Sequence, residues 1–244
     1  MSLLRCQNLA VATLLPPLTL ELSAGSRALL QRPGDAITRL FFRLLNRLRE
    51  PTSGQIFWHG QELSTYSVTA LRQQILLVPE APYFFGMTVA ETIAYPLNLR
   101  RLSRSQIRPV ISLWMERMEL PRHWSEQKEF ELTLGDRQWV ALTRALVAAP
   151  QLFLLENPLA PLTPSRQQHI LQILATQSSA AVVMVHPDAL PLPWQPLSAL
   201  PTIPTHHTQP AEEEWGALSD YDCERIDPPL GRSPQQPAPD RRDC

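Results

Sequence analysis

The chain has 244 residues, 44% of them apolar, and a formal net charge of −1. That is enough for one large domain or a domain with a tail, and too little field to select nucleic acid or an anionic membrane by charge. No apolar run reaches the roughly 20 residues that cross a bilayer, and Cys6, Cys223 and Cys244 are too few and too scattered for a disulfide scaffold or a zinc site, so a reducing, cytoplasmic setting is expected.

The apolar start, residues 1–22, is broken by Pro16-Pro17 and offers no small-residue cleavage site, so it reads as part of the fold and not as a leader. Residues 18–22 alternate apolar and polar side chains. A Ser23-Ala24-Gly25 turn and a strand over 26–31 follow. Residues 36–49 place Ile37, Leu40, Phe41, Leu44, Leu45 and Leu48 at helical spacing. Pro51-Thr52-Ser53-Gly54 is a turn before a short strand over 55–58, and 74–78 reads as a buried strand. Helical character returns over 91–99, 105–118 and 138–147, while 152–155 and 181–185 are short, fully apolar runs, as in a sheet covered on both faces. Strands alternating with helices predict an α/β fold with a mainly parallel sheet. Near residue 187 the composition changes: the last 58 residues hold 12 prolines, with ten acidic and four basic side chains. Proline at that density blocks helices and central strands. Residues 1–190 are therefore read as the globular part and 191–244 as a Pro-rich, acidic, disordered tail, with 211–218 its one short helical stretch.

The turn Gln31-Arg32-Pro33-Gly34-Asp35-Ala36-Ile37-Thr38 lies between an apolar strand and a helix, where a phosphate loop of pattern G-x-x-x-x-G-K-[ST] would sit. Only Gly34 and Thr38 keep the chemistry; Gln31 and Ala36 stand for glycines and Ile37 for the lysine. The chain has one lysine, Lys128, among its 22 basic residues, and 8 glycines against 25 prolines, so a glycine-rich loop bearing a lysine is not available.

Later segments follow in order. Val78-Pro79-Glu80-Ala81-Pro82 and the stretch from Phe85 to Ile93 resemble a Q-loop and the helix after it. Glu131-Leu132-Thr133-Leu134-Gly135-Asp136-Arg137-Gln138 and the stretch 140–146 resemble a signature motif and its helix. Pro150-Gln151-Leu152-Phe153-Leu154-Leu155-Glu156-Asn157-Pro158 resembles a Walker B strand and its exit, residues 159–163 a D-loop, and His186 a switch histidine. Over residues 1–190 the chain resembles the ATP-binding cassette of ABC transporters. The resemblance implies a P-loop NTPase-type, mainly parallel sheet with flanking helices, an antiparallel N-terminal β subdomain and a helical signature subdomain. It implies ATP and Mg²⁺ as cofactors. Gly34, Asp35, Ala36, Ile37, Thr38, Arg39, Glu80, Thr133 and Gly135 fall on nucleotide-binding positions, Thr38 and Glu156 on metal positions, and Asn157, Glu156 and His186 on catalytic ones.

The departures from the family pattern bear on mechanism. Pro33 removes a backbone N–H that a phosphate loop aims at its anion. Ile37 deletes a charge-assisted bond of about 1.5–3 kcal/mol. Arg39, two positions along and about 200° round the helix, is not placed to replace it. Residues 7–31 hold no aromatic side chain to stack on adenine. Asn157 stands where the resemblance puts the catalytic glutamate; an amide orients water but takes no proton, and losing a general base costs about 10²–10⁴ in rate. Glu80 stands where the resemblance puts glutamine, adding charge near the γ-phosphate. In the signature, which caps a nucleotide held by the partner subunit, Leu134 adds bulk and Asp136 adds charge.

The expected function is a divergent ATP-binding subunit of an ABC transporter, coupled to a membrane permease, with weak binding and little hydrolysis. Its partners are the permease and a second cassette in a homo- or heterodimer, with no nucleic acid. Its place is cytoplasmic, peripheral at the inner face of the cell membrane. The alternative is a non-catalytic scaffold or regulatory protein that retains the cassette fold.

Overall fold

The computed structural model describes residues 2–31 and 36–197. The expectations for Gly34 and Asp35, for the helix over 211–218 and for Cys223 and Cys244 lie outside the described residues.

Two sheets organise the described chain. The first is antiparallel, in the order β2 (Leu15–Ser23), β1 (Ser2–Val11), β4 (Ser53–Trp58), β5 (Gln61–Glu62). β1 was not legible as a strand. Its pairing with both neighbours shifts register around Asn8, whose φ of +48° interrupts the alternation of faces. Gly54 has φ +80°, and a Cβ there would lie 2.2 Å from the Asn8 carbonyl oxygen, so only glycine lets β4 approach β1 at this point.

The second sheet is parallel, in the order β6 (Ile75–Val78), β7 (Leu152–Leu155), β8 (Ala181–Val185), β3 (Arg27–Leu30), β9 (Gln195–Pro196). β7 and β8 bury every side chain. Leu152, Leu154, Ala181 and Val183 join the core beneath the antiparallel sheet, with Phe41, Phe42, Leu44 and Leu45 of α1 (Ala36–Leu45). Phe153, Leu155, Val182 and Met184 join the core on the other face. That face is covered by α3 (Val89–Leu99), α5 (Leu134–Ala148) and α6 (Pro164–Thr176). Two-sided burial is why these strands read as unbroken apolar runs. α2 (Val68–Gln74) leads into β6, and α4 (Arg104–Arg117) packs on α3 and α5.

Past residue 190 the chain is still in the fold. Trp194 is buried and β9 pairs with β3, Ala28 against Gln195 and Leu29 against Pro196. Proline is admissible there because β9 lies at the sheet edge.

Arg27, 5% exposed, opens β3. Its guanidinium donates to the carbonyls of Leu174 (3.0 Å) in the last turn of α6, of Gln177 (2.6 Å) and Ala180 (2.7 Å) just after it, and of Gly25 (2.8 Å) and Ser26 (3.1 Å) in the β2–β3 turn. A cation at a helix C-terminus meets the carbonyls that the last turn leaves open.

Candidate nucleotide site

All five strands of the second sheet run in one direction, so their C-terminal ends share one edge, the usual ligand edge of an α/β sheet. Val78 stands level with Leu155, Leu155 with Met184, and Leu30 with Val185. The next residues are bonded across the strands: Glu156 N–H donates to Val78 O (2.9 Å) and His186 N–H to Leu30 O (3.0 Å). Glu80, Glu156, Asn157 and His186 therefore emerge along one line, with α1 starting from the same edge.

At the start of α1, Ala36 is exposed, and Ile37 is half-buried and packs against the core beneath the antiparallel sheet. The residue in the lysine position thus turns part of its surface to apolar packing. Thr38 is 2% exposed, and among the described residues its Oγ1 has no hydrogen-bond partner. A buried hydroxyl left open at a helix start is a fit for a hard cation, which takes oxygen ligands.

Glu156 supplies the carboxylate. Burial pushes its pKa up. The Glu80 backbone N–H, bonded to the carboxylate, and the charges of Arg39 and Arg43 pull it back, while the Glu80 charge pushes it further up. Arg39 and Arg43 are i,i+4 on α1 and so share a face. Sequence reasoning set Arg39 aside as a lysine substitute and passed over Arg43, although helical spacing from Arg39 was enough to find it.

Asn157 occupies the left-handed region, with φ +44°, which asparagine tolerates better than most residues. Its Nδ2 donates to Glu80 Oε1 at 2.9 Å, and its Oδ1 is buried with no partner among the described residues. His186 Nδ1 lies 3.2 Å from the Asp188 N–H and 3.1 Å from the Asp188 carbonyl oxygen, so the ring is held by the backbone just beyond β8.

The loop after Glu80 is held from the helical side. Phe84 N–H donates to Glu129 Oε2 (3.0 Å), Arg144 Nη1 to Tyr83 O (3.3 Å), and Val89 N–H to Gln127 O (2.9 Å). A Thr88–Glu91 capping box then starts α3. Tyr83 and Phe85, edge to face at 5.0 Å, remain exposed.

Thr133, Gly135 and Asp136 are engaged elsewhere. Thr133 caps α5, accepting the Asp136 N–H at 3.2 Å while its hydroxyl donates to Asp136 Oδ2 at 2.6 Å. Arg166 of α6 donates to Asp136 Oδ1 at 2.7 Å, with its guanidinium 5.5 Å from the ring centres of both Trp124 and Trp139. Burial alone pushes Asp136 up, but the Thr133 hydroxyl and the Arg166 guanidinium outweigh it and hold the carboxyl below its usual range. The charge expected to face a partner's phosphate is thus bonded within the chain, and nothing in the sequence linked residues 136 and 166. A Cβ on Gly135 would sit 2.5 Å from the Pro161 carbonyl oxygen, so this glycine is needed for packing against the 159–163 loop.

A family model described as ABC transporter matches residues 40–160, the segment from the second half of α1 through the Glu80 loop and the Thr133 cap to the Glu156 strand end. The chain belongs to the ABC transporter ATP-binding cassettes. The cassette is 29% identical over 163 residues to ABC transporter I family member 17 of Arabidopsis thaliana, covering 66% of this chain and 60% of that protein. It is 27% identical over 194 residues to the probable iron export ATP-binding protein FetA of Escherichia coli, covering 76% and 85%. Its fold is that of the dimeric ATP-binding cassette MJ0796 bound to ADP and phosphate: TM-score 0.67 at 20% identity, covering 76% of this cassette and 88% of that chain. The cassette thus spans less than two thirds of the plant relative's length. Among the described residues no helix is long and apolar enough to cross a membrane.

Proposed function

We propose that this cassette is the nucleotide-binding subunit of an ABC transporter that binds Mg-ATP weakly and hydrolyses it slowly. The observation that carries this reading is the open, buried Thr38 hydroxyl at the sheet edge where the Glu156 carboxylate emerges. Thr38 and Glu156 would hold Mg²⁺, which when bound neutralises phosphate oxygens and acts as a Lewis acid. The protein's own part follows from its bonds. Arg39 and Arg43 supply positive charge beside the Glu156 carboxylate, and Asn157 holds the Glu80 side chain. Weak affinity follows from Ile37, whose apolar side chain leaves the phosphates without an ammonium group.

The partners are a membrane permease and a second cassette, in a homo- or heterodimer, with the subunit peripheral at the inner face of the membrane. Exposed Tyr83, Phe85, Tyr95 and Leu99 support a permease contact over 83–99, since apolar surface of this kind needs covering. The scaffold reading is favoured by one observation: Thr133 and Asp136 are satisfied within the chain and need no nucleotide.

Two measurements separate the readings. Calorimetry with Mg-ATP should give a dissociation constant in the high micromolar to millimolar range, about tenfold or more weaker than with a lysine in place. A tagged chain pulled from membranes should bring a permease with it. Permease capture with no heat at millimolar Mg-ATP selects the scaffold. No permease and no heat removes the transporter reading.

A further inference from the structure

We propose that Glu80 takes the proton from the attacking water in this cassette and that Asn157 is the positioning residue that holds it. The proposal rests on the ATP-hydrolysis reading above and adds to it the residue that does the proton chemistry.

The resemblance expects an amide on the loop at 80 and a carboxylate on the strand end at 157. The chain has the reverse, Glu80 and Asn157, and the two are bonded, Nδ2 to Oε1, at 2.9 Å. The site therefore keeps one carboxylate and one amide in contact, with the polarity of the bond inverted. Two carboxylates at this distance would repel, and two amides would leave no proton acceptor. Each substitution alone harms the site, and together they restore a matched pair.

The remaining geometry assigns the role to Glu80 and not to Glu156. Glu156 is half-buried at the strand end and sits in the field of Arg39 and Arg43, as suits a fixed ligand. Glu80 spends one oxygen on Asn157 and is otherwise exposed on the nucleotide edge. The left-handed backbone at Asn157 fixes the donor at the turn where β7 ends. In the step, a water oxygen attacks the γ-phosphorus and the bond from that phosphorus to the β–γ bridging oxygen breaks. ADP leaves with that electron pair, the water proton passes to the Glu80 carboxylate, and Asn157 stays neutral throughout. The exposed Glu80 then releases that proton to solvent, so that ATP and water become ADP, phosphate and a proton with no other reactant.

The test uses the full chain and two readouts, Mg-ATP affinity by calorimetry and phosphate release. Glu80→Gln should slow phosphate release by about 10²–10⁴-fold. The same change should tighten Mg-ATP binding by roughly fivefold, because it removes a negative charge near the phosphates. Opposite signs in the two readouts distinguish a proton acceptor from a prop, whose loss lowers both. Asn157→Ala should slow release by about tenfold with affinity within twofold of the original, and Glu80→Asp should recover part of the rate. Phosphate release by Glu80→Gln within threefold of the unaltered chain overturns the proposal, as does a parallel fall in rate and affinity. Bound Mg-ATP with no phosphate release by the unaltered chain also overturns it and leaves the nucleotide-binding reading intact. No Mg-ATP binding at all overturns that reading and the proposal together.

Discussion

Glu156 shows how one residue carries a cost in the free protein and a use in the loaded one. Burial raises its pKa, and the bond from Glu80 and the charges of Arg39 and Arg43 only partly offset this. A folded-state pKa above the unfolded one means that the carboxyl's stabilising contribution is present at low pH and is lost as pH rises through the raised value. At neutral pH the ionised group therefore works against folding. Glu156→Gln should melt above the unaltered chain at pH 8 without nucleotide, by a few degrees, and the gap should close as pH falls towards about 4. A scanning-fluorimetry series across that range checks the sign; an unaltered chain that melts higher at pH 8 refutes it. Arg27 is the opposite case, a buried charge with its donors satisfied by carbonyls. Arg27→Met strips the last turn of α6 and the β2–β3 turn of one shared donor. We expect a loss of about 3–4 kcal/mol, or roughly 10 °C in Tm, measured by urea and thermal unfolding. Cys6 lies in the first core with its thiol pushed up to about 12 by burial, which leaves it without thiolate chemistry at neutral pH.

Among the elements, those that bury both faces were the most legible. β7 and β8 are unbroken apolar runs and were placed from sequence alone. β1 was hidden by the irregularity at Asn8. α6 was hidden because it buries only Ile170, Ile173 and Leu174 among polar neighbours. α5 starts at Leu134, four residues before the periodic apolar face suggested, because its start is fixed by the Thr133 cap. The candidate site was legible as positions and not as contacts: Glu80, Glu156, Asn157 and Thr38 were named from motif order. The Glu80–Asn157 and Asp136–Arg166 bonds join residues 77 and 30 apart, which no local pattern connects. The α5 start makes its own prediction. Gly135→Ala forces a methyl onto the Pro161 carbonyl and should cost about 1–3 kcal/mol while displacing the 159–163 loop, seen as faster amide exchange there. Asp136 has a lowered pKa, so its contribution is present above the ordinary carboxylate value and is lost as pH falls through the lowered one. Asp136→Asn should therefore flatten the acid limb of the stability curve below about pH 4.

At the scale of the whole molecule, the parallel sheet gathers its strand ends at one edge while the Arg27 cluster ties down the other. Ligand chemistry is thereby kept apart from the Arg27 hydrogen-bond cluster. Binding at such an edge stabilises by mass action, and near its dissociation constant a ligand adds only about 0.4 kcal/mol. Millimolar Mg-ATP should accordingly raise the melting temperature by about 1–2 °C, and Glu156→Ala should abolish the rise. The position of Ile37 has a consequence for any attempt to re-equip this loop. The half-buried side chain already packs against the apolar core, so exchanging it for lysine would forfeit about 1 kcal/mol before a single phosphate contact formed. The route back to a fully armed loop runs through a weaker protein, which makes the present arrangement a one-way door in sequence space.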